Sequence, residues 1–166
     1  MNASAFRHLY DYHFGENRKL WALAAGLSEE NFARPAAYSH GSVRDQVIHL
    51  AEVENIWFSE LRNRALDDPF PAEHLESRAA MRAYWDQIEQ DVRAYLAALT
   101  DDMLLTTPIL EPDEDRGLYV WQVLLHVVNH ATDHRAQLLR QLNDLGVETG
   151  YQDYIFYCYG YPWQQG

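Results

Sequence analysis

Four stretches of this chain set apolar side chains three or four positions apart over roughly two dozen residues each, the spacing that gathers them on one face of an α-helix. The pattern predicts helices from about Ala3 to Ala25, Ser42 to Ala65, Glu76 to Leu99 and Val120 to Leu145. Phe6, Tyr10, Phe14 and Trp21 mark the first apolar face; Val43, Val47, Leu50 and Trp57 mark the second. Met81, Trp85, Ile88 and Val92 mark the third. Ser42 is placed to cap the second helix, with Asp45 in its first turn, and Gly146 is placed to stop the fourth. Pro69 and Pro71 interrupt any continuation after the second.

Faces of this length must be covered, and the predicted fold class is all-α, a four-helix bundle forming a single domain over residues 1–166. The connections around residues 66–75 and 100–119 are long enough for something other than a simple up-and-down path. The second contains Pro108, Pro112 and Gly117, with a short extended piece expected at Leu105 to Leu110. The C-terminal tail, YQDYIFYCYGYP, is too aromatic to be left in water and is expected to pack on the bundle or on a second subunit.

Charge removes whole classes of function. A net charge of −12 argues against nucleic acid and anionic membranes as partners. No run approaches the length of a membrane span, and the N-terminus has no long apolar core of the signal-peptide kind. The lone cysteine, Cys158, builds neither a disulfide nor a cysteine-rich zinc site within one chain. It is read as a packing residue of the aromatic tail. The expectation is a cytoplasmic protein.

The chemistry lies in HVVNHATDH, residues 126 to 134, which holds three of the eight histidines. Histidines four apart lie one turn apart on one side of a helix, so an adjacent pair can address one ion. His126 and His134 are about 12 Å apart along the axis, too far to share it. A third donor must come from another helix, and the best placed is His49, between Val47 and Leu50. Three neutral imidazoles suit a transition metal and leave a coordination position open for water or substrate.

Two familiar sites fail on this stretch. A zincin protease needs HExxH, and Ala131 stands where its glutamate base belongs. Di-iron bundles need Glu-x-x-His pairs, and no histidine here has a glutamate three residues before it. No phosphate-binding glycine loop and no nucleophile elbow occurs. His8, His13, His40 and His74 are read as surface or boundary residues, though His13 can face the interior without binding metal.

LYDYHFGENRKLW at 9–21, GSVRDQVIHLAEVENIWF at 41–58 and VWQVLLHVVNHATDHRAQLLRQL at 120–142 together resemble the DinB family of DinB/YfiT-like metalloenzymes. The resemblance spans almost the whole chain. It departs from the more typical ending His-His-Arg-Gly-Gln, with Asp133 for the first histidine and Ala136 for the glycine. The family implies an up-down-down-up bundle, often dimeric, with a divalent metal on three histidines. Carried over, these are His49, His130 and His134, with His126 beside the site. Asp133 and Glu52 are candidates to accept the outer N–H of a liganding imidazole. Zinc and nickel stand ahead of iron and manganese as the ion.

Relatives include transferases and isomerases that use low-molecular-weight thiols such as bacillithiol or mycothiol. The leading expectation is therefore a metal-dependent thiol S-transferase acting on a small electrophile, as a homodimer. The alternatives are a stress-associated dimer with a structural or vestigial metal and, behind it, a metal-dependent hydrolase.

Overall fold

The computed structural model describes residues 1–160. Four long helices dominate it: α1 Ala3–Ala25, α3 Val43–Glu60, α4 Arg78–Ala98 and α5 Val120–Asp144. Two short ones, α2 Glu29–Phe32 and α6 Tyr154–Cys158, lie in the first connection and in the tail. The starts follow local chemistry. Asn2 accepts from the Ala5 N–H at 2.8 Å, and Ser77 accepts from Ala80 at 3.1 Å. Ser42 and Asp45 satisfy each other's backbone N–H groups, a reciprocal cap that fixes where α3 begins. Gly146, at φ +82°, ends α5, and the Val147 N–H reaches back to Leu142 O at 3.0 Å.

Contacts between named residues give the helix directions. Arg78 at the start of α4 bonds Ala25 and Leu27 at the end of α1, and Asp101 beyond α4 accepts from Ala3, so α1 and α4 are antiparallel. Tyr10 bonds Leu124 and Asn17 meets Arg135, so α1 and α5 run parallel. Gln46 pairs with Gln141 and Trp57 packs on His126, so α5 opposes α3. Asn55 meets Tyr84 and Phe58 meets Tyr95, so α3 and α4 are parallel. The path is up-down-down-up, with α1 and α3 diagonal across the core. A parallel α3–α4 pair requires a crossover the length of the bundle, which residues 61–77 supply.

Phe6, Tyr10, Phe14, Leu50 and Val92 of the anticipated faces are buried, and Phe58, Leu124 and Leu138 join them in the core. Through it runs a polar strand made by His13, Asn17, Glu54 and Arg135, all buried. Among the described residues, no helix is long and apolar enough to cross a membrane.

Three local expectations change. The second helix ends at Glu60 rather than Ala65. The stop is Asn63, which turns left-handed at φ 49°, a conformation asparagine tolerates, before the prolines are reached. Its side chain then donates to Pro108 O at 2.9 Å and accepts from Leu110 N at 3.2 Å. The extended piece at Leu105 to Leu110 is therefore tethered to a side chain, while Leu105 itself closes a 3₁₀ turn. Cys158 is exposed rather than buried, with its Sγ 4.0 Å from His8 Nε2. In the tail, α6 lies on α1, with Tyr154 and Tyr157 against Tyr12, and Tyr12 Oη donating to Gln152 O. Tyr161 and Pro162 of the tail, and the last stretch of the predicted domain, fall outside the described residues.

Candidate metal centre

Helix α5 turns His130 and His134 toward α3, and the two rings lie 4.3 Å apart between centroids. Helix α3 brings His49 to meet them, 4.6 Å from the His134 ring. The three sequence-predicted donors thus converge. His49 Nε2 and His130 Nε2 face each other at 3.2 Å. A fourth ring arrives from the loop before α3: His40 lies flat on His49, centroids 3.6 Å apart at 15°. Donor nitrogens of His40, His49 and His134 all fall within 4.8 Å of one another.

This arrangement fits a divalent transition metal. Imidazoles on zinc bind at about 2.0–2.1 Å, which in a tetrahedron sets donor nitrogens about 3.3 Å apart, close to the His49–His130 separation. His134 Nδ1 is buried without a hydrogen-bond partner, an arrangement costly for a polar atom with nothing to bind. Burial favours the neutral form of His49, His130 and His134. Burial, reinforced by His40, His134 and His130, pushes His49 down to about 4. Burial, then His134, His126 and His40, does the same to His130, also to about 4. His134 is lowered by burial and by His40. Neutral imidazoles keep the lone pairs that a metal needs.

The residues expected around the donors take these positions. His126 is exposed one turn before His130, edge-on to Trp57 at 5.0 Å, a neighbour of the cluster. Asp133 accepts from Gln137 at 3.0 Å rather than from an imidazole. Glu52 is half-buried, and burial together with Asp68 raises its carboxyl, which His40 partly offsets. A hollow of about 540 Å³ opens beside His130, lined by His126, Asn129, Thr132, Asp133 and Ala136 of α5.

Two sets of residues went unread in the sequence. His40 sits in a loop, where no periodicity marks it. The loop is pinned by Gln141 of α5, whose amide donates to Gly41 O at 3.3 Å while its carbonyl accepts from Gln46 of α3. The second set aims α5. Arg135 Nη1 lies 3.0 Å from His13 Nδ1, and a guanidinium only donates, so Nδ1 accepts. The His13 proton is then on Nε2, 2.8 Å from Glu54 Oε1. Burial lowers the His13 pKa, consistent with a neutral ring. Asn17 Nδ2 gives its hydrogen bond to the same Glu54 oxygen at 2.7 Å, and Asn17 Oδ1 accepts from Arg135 at 3.0 Å. Arg135 directly follows His134, so this network fixes the rotation of α5 about its axis and with it the aim of both histidines.

Comparison with known proteins gives two matches over nearly the whole chain. Protein DinB of Bacillus subtilis (strain 168) is 23% identical over 166 residues, covering 96% of this chain and 96% of that protein. The DinB family model matches residues 1–165. With the all-α bundle and a histidine cluster able to hold a metal ion, a match of that length settles the kinship: this chain belongs to the DinB family.

Proposed function

We propose that the protein is a metal-dependent enzyme of the thiol S-transferase type, acting on small electrophilic molecules, with His49, His130 and His134 as ligands of one divalent ion. The observation that carries this reading is the 3.2 Å approach of His49 Nε2 to His130 Nε2 beside the unpartnered Nδ1 of buried His134. A bound ion of this kind lowers the pKa of a coordinated thiol and presents the thiolate to an electrophile. The chain's own part is to hold three neutral imidazoles on two rigid helices and to clamp those helices through Gln46 and Gln141. The hollow beside His130 supplies room for a small molecule. An all-nitrogen donor set favours zinc or nickel over manganese, with iron also compatible. The working partners are a small-molecule substrate and a low-molecular-weight thiol in the cytoplasm. A homodimer is supported by the exposed Trp121 and Leu125 on α5, which a second copy would cover.

A second reading is favoured by His40. Its donor nitrogen lies within 4.8 Å of those of His49 and His134, and a fourth imidazole on the ion would close the coordination shell, the form of a structural metal. Thiol consumption by the metal-loaded protein, measured against a panel of alkylating electrophiles, decides between them. Metal-dependent turnover supports the transferase. No turnover, with a large loss of melting temperature on chelation, supports the structural metal.

A further inference from the structure

We propose that His40 is a detachable fourth ligand of this centre, so that the loop between α2 and α3 opens and closes its coordination shell. The proposal rests on the metal reading above. Three donors come from α3 and α5, helices of 18 and 25 residues whose other faces are locked in the core. They cannot leave without unpacking the bundle. His40 is exposed and belongs to no helix. Its ring nevertheless lies among the others, stacked on His49 and 4.9 Å from His134.

The backbone shows what holds it there. The chain reverses in a turn closed by the Gly41 N–H to Tyr38 O at 3.1 Å. Ser39 takes φ 53° and Gly41 φ 98°, both left-handed. A serine in that region is strained, and strain persists where the surroundings impose it. Gln141 fixes the loop at Gly41, just after His40. On the other side, the loop from Ala33 to Ser39 is mostly exposed. The loop is thus anchored at Gly41 and mostly exposed before it, with the imidazole one residue before the anchor. Donor nitrogens of His40, His49 and His134 lie within 4.8 Å of one another, and His130 Nε2 is 3.2 Å from His49 Nε2, so turning the His40 ring out of its stack on His49 would bring a fourth imidazole to the ion. With His40 withdrawn, a position opens that a thiol of low molecular weight can take, while the three helical donors stay fixed. The same site then alternates between the closed form of a structural metal and the open form of a reactive one.

Cobalt(II) binding to the full chain tests this, followed by visible absorption and by competition with a chelator, in wild type, His40→Ala, His40→Gln and His130→Ala. The wild type is expected to bind one ion with the intense bands of a four-coordinate nitrogen site. Both His40 variants are expected to keep one ion, bind it about tenfold more weakly, and show altered bands that free imidazole restores. A wild-type spectrum and affinity in both His40 variants would show that His40 only stacks, and would overturn the proposal while leaving the three-histidine centre standing. An altered spectrum that imidazole fails to restore also overturns it. Wild type without bound cobalt, or His130→Ala indistinguishable from wild type, removes the centre itself and His40's role with it.

Discussion

Arg135 is 1% exposed, and its charge is held by Asn17, Thr132, Gln152 and the lone pair of His13. Glu54 lies opposite, also 1% exposed, with Oε2 unpartnered. A buried carboxylate with its cation removed is strongly destabilising. Arg135→Met is therefore expected to cost about 3–5 kcal/mol, lowering the melting temperature by about 6–20 °C, readable by calorimetry. Because Arg135 also sets the rotation of α5, the same variant is expected to bind metal more weakly at temperatures where it remains folded. None of this was legible from residue type, since a charged side chain on a helix reads as solvent-facing. His49, His130 and His134 were legible because four-residue spacing and a neighbouring apolar face fix where a helical side chain points. His40 carried no such signal, because a loop position has no period.

At the scale of elements, α1 keeps the bounds its spacing predicts, Ala3 to Ala25, and the structure adds the Asn2 cap at its start. The end of α3 was not legible in the sequence. Its stop depends on Asn63 turning left-handed and tying down residues 108–110, and the sequence offers the prolines further on as the stronger cue. Asn63→Ala is expected to destabilise by about 2 kcal/mol, through backbone strain and two lost tethers, and Asn63→Gly by less, because glycine keeps the backbone. Chemical denaturation distinguishes the two. Glu60, at the end of α3, gives a pH signature. Burial, then Asp115 and Glu114, pushes its carboxyl up to about 7 from 4.5. Its folded-state pKa is raised, so its contribution is full below pH 4.5 and is lost as pH rises through 7. Glu60→Gln is accordingly expected to match wild type at pH 4.5 and to unfold at higher denaturant at pH 8. The gain is modest, under about 1 kcal/mol, because much of the side chain meets solvent. An equal offset at both pH values would contradict the assignment.

For the whole molecule, the up-down-down-up path decides where function can sit. It places α5 between α1 and α3, parallel to one and antiparallel to the other, so one helix serves two purposes. Its α1-facing side carries the Arg135 network, and its α3-facing side carries His130 and His134. Periodicity could show the four helices but not this order, which follows from pairings such as Gln46 with Gln141, distant in sequence. The remaining exposed edge of α5, with Trp121 and Leu125, is the face proposed for a second copy. Trp121→Glu is expected to halve the mass seen by light scattering, and an unchanged mass would place the contact elsewhere. The central claim is that His49 and His130, some eighty residues apart in sequence, share one metal ion. Metal content of the purified wild type beside His49→Ala and His130→Ala tests it most directly. The account predicts close to one divalent ion per chain in the wild type and its loss in both variants; stoichiometric metal that persists in both would contradict it.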